Sequence, residues 1–137
     1  MIDQTLHVLL VEDEALNRAL VRAILQRSDG PPGIELVEAE TIEAARQALD
    51  SGPVDVVLLD VRLPDGSGLD LARDLRERPG PVPLIAILSA SVLADERERA
   101  EASGADAFMG KPFAPRELVA LLEDFRGRIA ARLAPDG

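Results

Sequence analysis

Five times along the chain a short run rich in Val, Leu and Ile gives way to a longer stretch with helical periodicity. That alternation restricts the fold to an α/β layer structure with helices covering a parallel sheet. The strand-like runs are 7–11, 34–37, 54–59, 84–88 and 105–109, and the helical stretches are 15–26, 41–49, 67–77, 94–103 and about 115 to about 134. In the first helix Leu16, Leu20, Ala23 and Ile24 fall at helical spacing and are expected to face inward. Thr41 is placed to cap the second helix, and Pro64-Asp65-Gly66 marks a turn before the third, where Leu71 and Leu75 point inward. The fourth helix is almost wholly polar from Asp95 to Glu101, so it buries only a thin stripe and is held weakly. Leu118, Leu121, Leu122 and Phe125 share one face of the fifth, which Pro115 opens acceptably and Gly127 weakens.

Length and composition narrow the function. The 137 residues suit one domain, with a core over about 5–126 and a last helix reaching about 134. No linker, repeat or second domain is visible, so any output function is expected outside these residues. A net charge of −10 argues against nucleic acid as a direct partner, because phosphate backbones are bound by clustered cations. Cysteine is absent, no apolar run is long enough to span a bilayer, and no secretion signal opens the chain. A cytoplasmic protein without membrane contact is expected. Fourteen of the fifteen basic residues are Arg and only Lys111 is Lys, which singles that position out.

In a doubly wound sheet, ligands bind beyond the carboxyl ends of the strands. The residues that close the strand patterns are Glu12-Asp13, Asp60, Ser89 and Lys111. Three carboxylates on one edge repel one another unless a cation sits among them, and oxygen ligands at a hydrated site suit Mg²⁺. A hydroxyl and an ammonium facing that ion complete a surround for a small dianionic tetrahedral group such as a phosphoryl. Each residue also has a plainer reading: Glu12-Asp13 as a solvated helix start, Asp60 as a turn former, Ser89 as a strand-end hydroxyl, Lys111 as a surface cation, Phe108 as core. Asp60 ends an apolar run, where a carboxylate is costly without a cation nearby. A compact ammonium at a confined phosphate site is not replaceable by guanidinium, which fits a lone lysine in an arginine-biased chain. His7, at the start of the first strand, is read as structural.

Four segments carry a family resemblance: 8–13 (VLLVED), 58–68 (LLDVRLPDGSG), 88–90 (LSA) and 104–113 (GADAFMGKPF). In this order and spacing the chain resembles the receiver domain of two-component response regulators over roughly residues 5–126. The resemblance implies a (βα)5 doubly wound three-layer sandwich of the flavodoxin-like type, with five parallel strands in the order 2-1-3-4-5. It implies that Asp60 accepts a phosphoryl group from a phosphohistidine of a histidine kinase or histidine phosphotransferase. It makes Glu12, Asp13, Asp60 and the backbone carbonyl of Arg62 the Mg²⁺ ligands, Glu12 through water, with Mn²⁺ as a possible substitute. Lys111 then pairs with a phosphoryl oxygen, Ser89 turns its hydroxyl toward the phosphoryl, and Phe108 rotates inward. The surface formed by the fourth helix, fifth strand and fifth helix switches toward a downstream protein target. Arg62 and Ser91 are positions from which self-dephosphorylation is tuned.

Two other readings compete. A receiver-like interaction module that works without phosphorylation is the alternative, and retention of Glu12, Asp13, Asp60, Ser89 and Lys111 speaks against it. A phosphatase or phosphotransferase acting on an external substrate needs an acid–base carboxylate two residues after Asp60, where Arg62 stands, so no turnover enzyme is expected. Asn17-Arg18 is similar to receivers attached to hybrid histidine kinases, and a single-domain regulator and an excised receiver both stay open.

Overall fold

A computed structural model describes residues 5–27, 32–79, 82–90 and 94–133. Five strands form one parallel sheet: β1 (Leu6–Val11), β2 (Ile34–Ala39), β3 (Val56–Asp60), β4 (Leu84–Ser89) and β5 (Ala107–Gly110). Their spatial order is β2-β1-β3-β4-β5, as the resemblance implies. The helices are α1 (Ala15–Leu25), α2 (Ile42–Ser51), α3 (Gly68–Glu77), α4 (Ala94–Ala102) and α5 (Pro115–Leu133).

Side-chain alternation along the strands makes two apolar layers out of one sheet. Val8, Leu10, Val56 and Leu58 face α1 and α5, where Ile24, Leu118, Leu122 and Phe125 meet them. Leu9, Val11, Val57 and Leu59 face the other way, against Ala45 of α2, Leu71 and Leu75 of α3 and Ala100 of α4. Strands buried on both faces need the near-continuous apolar runs seen in the sequence. At roughly 1.5–3 kcal/mol for each fully buried Leu, Ile or Val, these layers dominate the stability of the domain.

Helix starts follow local hydrogen-bond chemistry. The Thr41 hydroxyl accepts the Ala44 N–H at 3.0 Å, and the Ser67 hydroxyl accepts the Leu69 N–H at 3.2 Å. Pro64-Asp65 turns the chain between two-residue segments, Arg62–Leu63 and Gly66–Ser67, that pair antiparallel. Asp65 does more than turn. Its carboxylate accepts the N–H groups of Ile42 and Glu43 at 2.9 and 3.1 Å, so it caps α2 from a distant loop.

One expectation about α1 is overturned. Leu16 is 79% exposed, Leu20 is 48% exposed and Ala23 is exposed, whereas Val21 and Ile24 are buried. Polar ties fix this rotation. The Arg18 guanidinium donates to the Glu12 carbonyl at 2.9 Å, and Arg22 makes a two-pronged bond to Glu38 of β2 at 2.7 and 2.9 Å. That bond holds the Glu38 carboxyl below its ordinary range, chiefly through Arg22. With Arg18 and Arg22 drawn toward the strand ends, the Leu16 and Leu20 side turns outward.

The polar α4 is as thinly anchored as its sequence implies. Among its described side chains only Glu96 and Ala100 are buried. Among the described residues no buried side-chain nitrogen or oxygen lacks a hydrogen-bond partner, and no helix is long and apolar enough to cross a membrane.

Candidate functional site

Strand register decides what meets at the carboxyl edge of the sheet. Val11 lies level with Leu59, Asp60 with Leu88, and Ser89 with Gly110, so the residues that close β1, β3, β4 and β5 arrive side by side. Glu12, Asp60, Ser89 and Lys111 thereby share one edge, as the strand-end rule requires. The Lys111 N–H donates to the Ser89 carbonyl at 2.8 Å, continuing the β4–β5 ladder into the site. Gly68 permits the close packing behind it. A Cβ there would lie 2.0 Å from the Asp60 carbonyl oxygen, so no other residue fits without moving the backbone.

Glu12 is 1% exposed, an unusual place for a carboxylate unless its oxygens are satisfied. One oxygen accepts the Glu14 N–H at 3.2 Å, and the other accepts the Lys111 ammonium. Lys111 also reaches Asp60 Oδ2 at 3.2 Å, while Asp60 Oδ1 accepts the Arg62 N–H at 3.4 Å. Burial alone would lower the Lys111 pKa. The hydrogen bond to Glu12 and the charges of Asp60 and Glu12 outweigh burial and raise it above the ordinary 10.5, so the ammonium stays charged. Asp13 is exposed at the mouth of the site.

One oxygen each from Glu12, Asp13 and Asp60 lies within 4.8 Å of the others. Hard oxygen donors this close, at a water-accessible cleft of about 640 Å³, fit a divalent cation of the Mg²⁺ kind. The cleft extends past these groups to Asn17, Leu20, Pro112 and Phe113.

The remaining positions divide. Ser89 is at the edge and buried, but its hydroxyl donates to Glu96 Oε1 of α4 at 3.1 Å. The Arg62 guanidinium lies 3.7 Å from Glu96 Oε2, and both residues line the cleft. Glu96 was not singled out by the sequence, because it sits inside a charged run. Its spacing of four from Ala100, which puts the two on one helix face, was the available signal. Phe108 is half-buried, with the Arg97 guanidinium carbon 5.3 Å from its ring centre. His7 sits in β1 with Nδ1 3.1 Å from Glu35. Ser91 lies outside the described residues.

Comparison with known proteins agrees with this geometry. The family model described as the response regulator receiver domain matches residues 8–123. The chain is 37% identical over 130 residues to the KDP operon transcriptional regulatory protein KdpE of Escherichia coli K12, covering 95% of this chain and 55% of that protein. It is 38% identical over 122 residues to the aerobic respiration control sensor protein ArcB of the same organism, covering 88% of this chain and 15% of that protein. The chain thus spans about half the length of the first relative and a small part of the second. Among solved structures it is similar to the receiver domain of the sensor histidine kinase PA1611 from Pseudomonas aeruginosa PAO1, with a TM-score of 0.77 and 27% identity over 90% of this chain and 98% of that one. That structure has a magnesium ion coordinated in its active site cleft.

Proposed function

The chain belongs to the response regulator receiver domain family, and on that premise we propose that Asp60 accepts a phosphoryl group from a phosphohistidine and that the chain acts as a switch rather than as a turnover enzyme. The observation that carries the reading is the Lys111 ammonium held between Glu12 and Asp60 at the carboxyl edge of the sheet, beside a third carboxylate. A carboxylate cluster with an ammonium set into it suits a phosphoryl group far better than it suits a neutral ligand.

An Asp60 carboxylate oxygen forms the new bond to phosphorus as the bond to the donor nitrogen breaks, and the leaving imidazole keeps the electron pair and takes up a proton. Lys111 moves part of its hydrogen bonding from Asp60 Oδ2 to a phosphoryl oxygen. Ser89 supplies a hydroxyl to another, and Phe108 follows the movement of the adjoining loop. Glu12, Asp13, Asp60 and the Arg62 carbonyl would hold Mg²⁺, with Mn²⁺ as a substitute. When bound, the ion supplies positive charge that offsets the carboxylates and the developing charge on the phosphoryl oxygens. Arg62 stands close enough to influence loss of the phosphoryl group to water, and Ser91 is proposed for the same role on sequence position. The donor is a histidine kinase or histidine phosphotransferase in the cytoplasm, and the output is a protein target at the α4, β5 and α5 face.

Incubation with Mg²⁺ and acetyl phosphate tests the reading. Intact-mass spectrometry should show one phosphoryl group added with release of acetate, and Asp60→Asn should take up none. A folded wild type that stays unmodified with both acetyl phosphate and a phosphohistidine protein would refute it and leave the interaction module.

A further inference from the structure

We propose that Glu96 is a positioning residue that keeps the unmodified chain from switching, by holding the Ser89 hydroxyl and the Arg62 guanidinium away from Asp60. The inference rests on Asp60 being the phosphoacceptor. Its basis is one carboxylate that engages both groups. Glu96 Oε1 accepts the Ser89 hydroxyl at 3.1 Å, and Oε2 lies 3.7 Å from Arg62. Glu96 is 7% exposed, although the other described charged residues of its helix are all exposed.

Its placement matters as much as its bonds. Glu96 is one of only two buried residues among the described side chains of α4, and the other, Ala100, contributes little apolar area. Among the described side chains of α4, the polar tie to β4 is therefore a main anchor of the helix. The same tie uses a hydroxyl that a phosphoryl group on Asp60 would recruit. The guanidinium at its other end is anchored two residues from Asp60 and is exposed along most of its length, so it is able to swing from one anion to another. Phosphorylation places a dianion beside a buried carboxylate, and both of the carboxylate's partners are then better used by the dianion. Transfer of the two groups takes from Glu96 its tie to β4 and its pairing with Arg62, and α4 loosens. Attachment of the phosphoryl and release of the helix are thereby one exchange of partners.

Two measurements on the intact chain test this. In the first, hydrogen exchange is followed without donor or metal. Glu96→Gln, which keeps an oxygen for Ser89 but loses the charge for Arg62, should speed exchange across 94–102 and leave β1 and β3 unchanged, and Glu96→Ala should speed it more. In the second, phosphorylation by acetyl phosphate in Mg²⁺ should run roughly three- to fivefold faster in Glu96→Gln, the size expected for an ion pair with one exposed partner. That gain should shrink below about twofold when Arg62→Ala is already present, a coupling that a merely structural role would not produce. Unchanged α4 exchange in both variants, or an unchanged rate in a folded Glu96→Gln protein, overturns the proposal. If α4 loosens while neither the wild type nor the variant takes up phosphoryl, the phosphoacceptor reading has failed and the tie survives only as a helix anchor.

Discussion

Replacing Lys111 with Met removes the one cation set into the carboxylate cluster while keeping most of the side-chain volume. The ammonium lies 3.2 Å from Asp60 Oδ2 and is hydrogen-bonded to Glu12, whose side chain is almost fully buried. At that distance and an effective dielectric constant near 20, the attraction to Asp60 alone is about 5 kcal/mol before desolvation is subtracted. Withdrawing a lysine from water costs several kcal/mol, and a buried charge left without its partner costs about 3–5 kcal/mol. The open cleft keeps the loss near the lower limit, so Lys111→Met should lose about 3 kcal/mol in the absence of divalent metal. In urea this lowers the midpoint by roughly 1.5–2 M, read by far-UV circular dichroism with EDTA present. Because the Lys111 pKa is raised on folding, its contribution is fully present at neutral pH and is lost only as pH rises through the folded value, above 10.5. Mg²⁺ should then recover more stability in the variant than in the wild type. A hundredfold excess over the dissociation constant gives about 2.7 kcal/mol, and the wild-type cluster is already partly neutralised by Lys111. A variant as stable as the wild type in EDTA, or one with no larger response to Mg²⁺, would show that Lys111 does not offset the carboxylates.

Gly68→Ala should destabilise by about 3 kcal/mol, because the Asp60 carbonyl that its methyl would strike is backbone and shifts only at a cost, and thermal denaturation checks this. Asp65 is held below its ordinary 3.8, first by the Ile42 N–H, then by that of Glu43 and by the charge of Arg46. Its stabilisation is therefore present above the unfolded value and is lost as pH falls through the folded one. Asp65→Asn should be less stable than the wild type at neutral pH, with the gap closing in acid, and urea titrations at a series of pH values will show whether the curves converge. Gly127 lies inside α5 with open space where a Cβ would stand, so Gly127→Ala should gain about 0.5–1 kcal/mol in the same assay.

The α/β architecture was legible chiefly because the three central strands, β1, β3 and β4, are buried on both faces and so carry continuous apolar runs that no solvated segment imitates. The end of each run was legible for the same reason: a charged residue after Val11 or Leu59 marks the point where the strand leaves the core. Rotation of α1 was not. Leu16, Leu20 and Ile24 make as good a stripe on paper as Val21, Ile24 and Leu25. The choice between them falls to Arg18 and Arg22, whose partners, the Glu12 carbonyl and Glu38, are brought near only by the sheet. Asp65 escaped notice similarly: a turn aspartate explains itself locally, and its second role depends on the start of α2 lying beside that turn.

The site shows the same division between what the strand ends dictate and what neighbouring helices add. Asp60, Asp13 and Lys111 could be read as a set because they terminate strands, and strand register brings them together without help from other elements. Glu96 belongs to a helix, and its meaning depends on facing Ser89. The two buried carboxylates of the site differ accordingly in what they do. Glu12 is fixed by β1, and its bond to Lys111 keeps the ammonium within reach of Asp60. Glu96 rides on a thinly anchored helix and draws Ser89 and Arg62 the other way. On the proposed reading, a phosphoryl group bearing a charge of roughly −1.5 to −2 would therefore meet Lys111, Ser89 and Arg62 already engaged with carboxylates. Its effect on the equilibrium is the difference between the bonds it makes and those it displaces. That difference is smallest at Lys111, which can keep Glu12 while exchanging an Asp60 oxygen for a phosphoryl oxygen on the same residue. It is largest at Ser89, where the exchange abandons a carboxylate on another element. On the proposed reading, Lys111 would serve chiefly to hold the phosphoryl and Ser89 to transmit its arrival to α4, and substitutions at the two positions should separate attachment from response.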